Sequence, residues 1–275
     1  MLERKPRFSS KGFRSNLTVI CTRLAGQMFD DLPVRIAVAD GVRKGRVPKE
    51  GYQRGWGLQF GGLMQMVKAE RLFVEAFGAC QPLSSWISSE KRANIYLLLT
   101  RFLPKLQDKN VIEFGSFKGG TAVFMALVLR EVAPEATLWA LDTFEGMPVT
   151  DKTIDAHGKG DFSDSSLPAL NEVINQLGLT NLIPVKGLFQ DTFPQISAGL
   201  KFGLAHIDAD IYSAIKYAQD AVWPHMTKGG YVVYDDADVS SCIGATEAVE
   251  ELIQERRVHC EQIWPHFVFR AGLES

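Results

Sequence analysis

No segment of this 275-residue chain approaches the roughly 20 consecutive apolar residues that a membrane-spanning helix needs; the longest candidate, Ile95–Leu99, lies inside an amphipathic stretch. A soluble globular protein is expected. Cysteine is scarce too. Cys21, Cys80, Cys242 and Cys260 stand far apart, with neither C-x-x-C spacing nor the paired framework of a disulfide-stapled domain. Free thiols in a reducing cytoplasm are expected, and no zinc motif is readable. Basic residues near the start (Arg4, Lys5, Arg7, Lys11, Arg14) are followed by Asn16, Thr18 and Arg23 rather than by a clean apolar run, which argues against a cleaved signal peptide. Internal repeats and low-complexity segments are missing as well. Net charge is only −2, but residues 1–50 hold eleven Lys/Arg against five Asp/Glu, which leaves the remainder distinctly acidic. Such a basic arm either meets an anionic partner, peripherally a membrane surface, or stays solvated; no nucleic-acid partner is expected.

With 46% hydrophobic and 23% charged residues, the composition is that of a globular protein able to bury a sizeable core. Residues 1–86 read as an N-terminal extension, broken around residues 41–62 by Gly41, Gly45, Pro48, Gly51, Gly55, Gly57, Gly61 and Gly62. Residues 87–275 read as the main domain. After a helix over Lys91–Lys105, apolar runs at Asn110–Gly115, Thr137–Phe144, Leu182–Gly187, Phe202–Asp208 and Tyr231–Asp235 predict strands buried on both faces. Amphipathic segments at Gly120–Val132, Ser166–Leu177, Ser213–His225 and Gly244–Arg257 predict helices between and after them. Val258–Trp264 and Phe267–Ala271 read as a terminal antiparallel pair. The expected fold is α/β, a Rossmann-like seven-strand, mostly parallel sheet.

The residues suited to chemistry sit at the ends of these strands. Val111-Ile-Glu-Phe-Gly-Ser-Phe-Lys-Gly-Gly-Thr121 runs from a strand into a helix N-terminus. Gly115 and Gly119 would let a cofactor lie against the backbone, with Ser116 between them and free N–H groups ahead. Glu113 stands where a dinucleotide fingerprint wants its first glycine, which turns the reading from NAD towards S-adenosylmethionine: Glu113 near its α-ammonium, Thr121 near its carboxylate. A purely structural turn is the alternative. Trp139-Ala-Leu-Asp-Thr-Phe-Glu-Gly-Met-Pro148 places Asp142, with Phe144 in the same turn, 27 residues after Gly115. A carboxylate there can accept both ribose hydroxyls, although an ordinary acidic turn has the same composition.

His206-Ile-Asp-Ala-Asp-Ile-Tyr-Ser213 and Tyr234-Asp-Asp-Ala237 end neighbouring strands, so Asp208, Asp210, Asp235 and Asp236 should converge on one pocket. Four carboxylates repel one another. A divalent cation removes that cost, and an all-oxygen set suits Mg²⁺. His206, inside an apolar strand, reads at least as well as a hydrogen-bonded core histidine and stays outside the expected site. Val149–Asp164 is too long for an ordinary strand-to-helix connection and reads either as a lid or as a passive loop; His157 within it could touch substrate.

In combination these residues resemble the macrocin O-methyltransferase (TylF-like) family, through Glu113–Gly120, Asp142–Pro148, Lys186–Thr192, Asp208–Ser213 and Asp235–Asp236, over about residues 88–260. The resemblance implies a class I O-methyltransferase that uses S-adenosylmethionine and Mg²⁺ on a hydroxyl of a sugar or polyol, in a natural product or glycan. It implies that Asp208, Asp235 and Asp236 hold the metal, that Asp210 is the general base and that Gln190 lies near the adenine. A homo-oligomer is a further expectation. A catechol-like diol would suit the same metal, and a non-catalytic S-adenosylmethionine-binding partner protein is the alternative from another class. An NAD-dependent reductase is disfavoured by Glu113.

Overall fold

The computed structural model describes residues 54–59, 62–83, 87–256, 258 and 260–272. The five apolar runs form parallel strands β1 (Asn110–Phe114), β2 (Leu138–Asp142), β3 (Leu182–Lys186), β4 (Phe202–Ile207) and β5 (Met226–Tyr234). Strands β6 (Cys260–Gln262) and β7 (Phe267–Arg270) add the antiparallel pair, giving the order β3-β2-β1-β4-β5-β7-β6. The expected seven-strand, mostly parallel α/β sheet is therefore the observed one. Successive residues of β1 enter different apolar clusters, Val111 on one face and Ile112 on the other, as the two-residue period of a strand requires.

Helices cover both faces. On the Val111 side lie α1 (Arg54–Gln59), α2 (Leu63–Ala69), α3 (Arg71–Cys80), α4 (Ser89–Leu97), α5 (Gly120–Val132) and α6 (Leu167–Leu177). On the Ile112 side lie α7 (Phe189–Ser197), α8 (Tyr212–Val222) and α9 (Ile243–Arg256). Helix α5 is buried continuously from Gly120 to Leu129 because α3 and the sheet enclose it. Ser166 caps α6 by accepting from the Ala169 N–H, and Gly178, at φ 60°, ends it in the left-handed conformation that glycine adopts cheaply. Strand order reverses between β1 and β4, so a crevice opens at their carboxyl ends.

Four expectations need correction. The compact unit begins at Arg54, not at residue 87, because α1–α3 deliver Leu58, Val67, Phe73 and Ala76 to the core; the ring of Phe73 meets Tyr96 at 5.3 Å and Phe124 at 5.7 Å. The basic arm lies outside the described residues. Helix α7 was not expected, since Pro194 interrupts its pattern, yet Phe193 anchors it to the sheet. The Lys91–Lys105 helix is α4 followed by a π turn (Leu98–Phe102) and a 3₁₀ turn, with Pro104 at the start of the latter. Strand β5 begins at Met226, ahead of the Gly229–Gly230 pair that hides its period. Among the described residues no helix is long and apolar enough to cross a membrane.

Candidate active site

A cavity of about 850 Å³ occupies that crevice, and residues from the ends of β1, β2, β4 and β5 line it. Of the expected cofactor residues, Gly115, Ser116, Thr121, Asp142 and Gln190 reach its wall, Gln190 from the first turn of α7. Glu113, Gly119 and Phe144 do not. Glu113 is fully buried, accepting from Ser116 Oγ at 2.7 Å and lying 3.2 Å from His206 Nδ1, so it acts on the cavity through Ser116. Gly119 caps α5 at φ 81°, the left-handed conformation that favours glycine, and a Cβ there would come within 2.3 Å of the Leu170 side chain. Phe144 contributes its backbone. Its N–H donates to Asp142 Oδ1 at 2.7 Å, while Ser116 and Phe117 N–H groups donate to Oδ2 at 3.0 and 2.8 Å. Burial raises the Asp142 carboxyl against these three bonds, which pull the other way. Asp142 thereby ties the β1–α5 turn to the end of β2.

Asp208, Asp210, Asp235 and Asp236 all line the same cavity. Oxygens of Asp208, Asp235 and Asp236 lie within 4.8 Å of one another. Burial, and then the neighbouring carboxylates, push Asp208 and Asp236 well above the usual range. Asp235 goes the other way. Burial opposes its ionisation, but His206, His266 and Lys91 hold it well below. His266 Nε2 donates to Asp235 Oδ1 at 2.8 Å, Lys91 Nζ donates to Oδ2 at 2.9 Å and to the Asp235 carbonyl, and His206 Nε2 stands at the ion-pair distance of 3.6 Å. Asp210 occupies the left-handed region at φ 57°, which a short polar side chain tolerates, and its Oδ1 accepts from the Cys242 thiol at 3.4 Å.

The 149–164 segment borders the cavity through Val149, His157 and Phe162. Its anchor is Asp155, 4% exposed, whose Oδ1 accepts from the Tyr212 N–H at the start of α8 at 2.8 Å. Removing that acceptor in Asp155→Ala leaves a helix-start donor unpaired and is expected to cost about 1–2 kcal/mol. Limited proteolysis should then cut the 149–164 segment faster than in the parent, and unchanged cutting would remove the anchor role. Tyr212 and Lys216, spaced as a Tyr-x-x-x-Lys pair after β4, do not line the cavity; they engage Glu251 at 2.9 Å each.

Residues 95–263 match the family model described as macrocin-O-methyltransferase (TylF), more than half of the chain. The chain belongs to the TylF family. A curated relative, the 8-demethyl-8-(2,3-dimethoxy-alpha-L-rhamnosyl)-tetracenomycin-C 4'-O-methyltransferase of Streptomyces olivaceus, is 28% identical over 48% of this chain and 54% of its own. The mycinamicin III 3''-O-methyltransferase of Micromonospora griseorubida is 26% identical over 52% of this chain and 59% of its own. The chain thus spans little more than half the length of these relatives. The crystal structure of CalS11, a calicheamicin methyltransferase, covers 76% of this chain and 90% of its own with a TM-score of 0.59 at 20% identity, a likeness of fold.

Two cationic or hydrogen-bonding neighbours of Asp235 in this TylF-family chain, Lys91 and His266, fall outside the matched residues. Sequence reasoning missed both. Lys91 reads as an ordinary helix-surface lysine, and His266 as part of a turn between the last two strands. Asn94 Nδ2 donates to His266 Nδ1 at 3.0 Å, which leaves Nε2 carrying the proton, and burial takes this imidazole down to about 4. His206 differs: burial opposes its charge, but Asp235 and Glu113 on either side lift it to about 9, so it is the core histidine expected, and a charged one. Its folded value lies above the ordinary 6.5, so its stabilisation is complete below pH 6.5 and lost as pH rises through about 9. His206→Gln should therefore lower the unfolding free energy by up to about 3 kcal/mol at pH 6 and by much less at pH 9.5. Urea unfolding in chelator checks this, and a gap that does not shrink with pH would contradict it.

Proposed function

We propose that this chain transfers a methyl group from S-adenosylmethionine to a hydroxyl of a sugar or polyol acceptor, assisted by Mg²⁺. The observation that carries this reading is the meeting, in one cavity at the strand-order reversal, of the Asp142-braced glycine turn with four carboxylates. The relative that acts on a rhamnosyl tetracenomycin supports a sugar hydroxyl as acceptor.

The carboxylate set fits a hard divalent cation. Asp208, Asp235 and Asp236 offer oxygens close together, and Asp236 Oδ2 is buried with no hydrogen-bond partner. When bound there, Mg²⁺ supplies positive charge beside the acceptor and lowers the cost of deprotonating its hydroxyl. The chain's own groups do the rest. Asp142 receives the ribose hydroxyls of the methyl donor, and Ser116, Thr121 and the α5 N-terminus receive its methionyl end. Asp210 takes the proton from the acceptor hydroxyl as its oxygen displaces the sulfonium sulfur in line, releasing S-adenosylhomocysteine. Lys91 and His266 hold the Asp235 carboxylate in place and ionised.

The test is calorimetric titration of the protein with S-adenosylmethionine and with NAD, each with Mg²⁺ and with chelator, followed by transfer of labelled methyl to sugar and catechol acceptors. Micromolar binding of S-adenosylmethionine, with labelling of sugars that stops on chelation, is expected. Binding of NAD alone would overturn the reading, labelling of catechols alone would move the acceptor class, and labelling that persists in chelator would remove the metal.

A further inference from the structure

Three side chains from separate elements meet at the cavity wall, and the proposed transfer uses only one of them. They are His157 of the 149–164 segment, Asp210 of the β4–α8 turn and Cys242, just ahead of α9. Cys242 Sγ lies 3.4 Å from Asp210 Oδ1 and 3.8 Å from His157 Nε2, and one ligand atom of each residue lies within 4.8 Å of the other two. A tetrahedral zinc ion at its usual bond lengths to sulfur, nitrogen and oxygen keeps such atoms about 3.5 Å apart. Both pairs that involve the sulfur therefore already stand near that spacing, and the third lies within 4.8 Å. A second observation is independent of the first: Asp161 Oδ2 is 3.5 Å from His157 Nδ1. A carboxylate behind the imidazole is how metal-ligating histidines are oriented, and it leaves Nε2 facing the thiol.

We propose that His157 Nε2, an Asp210 carboxylate oxygen and Cys242 Sγ form a second cation site, specific for a zinc-class ion and distinct from the all-oxygen set Asp208, Asp235 and Asp236. Imidazole and thiolate select zinc over magnesium, whereas the neighbouring oxygens make the opposite choice. Three protein ligands leave a fourth position to the cavity, and binding sends the thiol proton to solvent. The consequence rests on the role proposed for Asp210: a zinc ion there occupies the base and ties the 149–164 segment to the β4–α8 turn, so zinc shuts off a reaction that magnesium supports.

Cobalt(II) is the probe, titrated into the full chain in saturating Mg²⁺. A thiolate-to-cobalt charge-transfer absorption that Zn²⁺ displaces is expected; Cys242→Ala should abolish it, His157→Ala should weaken cobalt binding at least tenfold, and Asp236→Asn should leave the band in place. No thiolate band in the parent protein, or a band that survives Cys242→Ala, would overturn the site. Thermal unfolding without metal checks the folding of each variant; if Cys242→Ala is unfolded, His157→Ala decides, and unweakened cobalt binding by it overturns the site. Zn²⁺ should also lower methyl transfer at least tenfold, reversibly on chelation and re-addition of Mg²⁺. A cobalt band accompanied by zinc-insensitive transfer upholds the site and counts instead against Asp210 as base.

Discussion

Replacing Asp210 by asparagine lowers methyl transfer by about 10²–10⁴-fold while S-adenosylmethionine binding and the fold persist, the range expected when a positioned base is removed. Asparagine is nearly isosteric and is among the residues that tolerate a positive φ, so the strained turn at φ 57° survives the change. What is lost is the acceptor for a proton. Burial raises the Asp210 carboxyl, with His157 pulling partly the other way, so the base works at a pH above its ordinary range. Transfer in the parent protein should rise with pH through that raised value, and the variant should lose this limb. Single-turnover transfer of labelled methyl, with binding measured separately by calorimetry, checks both statements. Parent-like turnover in the variant would take the base role away from Asp210.

Gly115→Ala should cost at least about 3 kcal/mol of stability, the sum of a forced left-handed backbone and a clash that side-chain motion cannot relieve. At φ 89°, a Cβ on Gly115 would fall 1.7 Å from the Asp208 carbonyl oxygen and 2.7 Å from its carbon. Both contacts are backbone, so β1 and β4 would have to part where the Asp208 N–H donates to the Phe114 carbonyl at 2.9 Å. The same displacement moves Asp208, and divalent-cation affinity should fall with stability. Gly160 is the control: at φ 87° with nothing within 4 Å of its Cβ position, Gly160→Ala meets only the backbone term, about 1 kcal/mol. Urea unfolding of the two variants separates the terms, and equal losses would show that the β1–β4 contact imposes nothing.

That contact also marks a limit of sequence reading. Gly115 read as room for a cofactor, and it does line the cavity; what the sequence could not show is that a side chain there would strike the carbonyl of Asp208, just past the end of β4. Glu113 looked like a direct ligand and proves to be buried behind Ser116. By contrast, the bounds of α5, the Ser166 cap and Gly178 stop of α6, and the convergence of the four aspartates follow from local period and from the rule that ligands meet the carboxyl ends of parallel strands.

The sequence by itself determined the class of sheet, the strand ends and which acidic residues share a pocket, because these depend on patterns repeating every two or 3.6 residues and on short motifs. Only the tertiary structure decided who surrounds them. Lys91 reaches Asp235 across 144 positions, and His157 comes to Cys242 across 85, pairings that no spacing rule encodes. Cysteine spacing argued against zinc for the same reason: a motif reads neighbours along the chain, whereas a ligand set is made by neighbours in space. Burial and nearby charge then decide which of those neighbours is charged: Asp235 and Glu113 lift His206 to about 9 against its burial, whereas burial takes His266 down to about 4 beside the same Asp235 carboxylate.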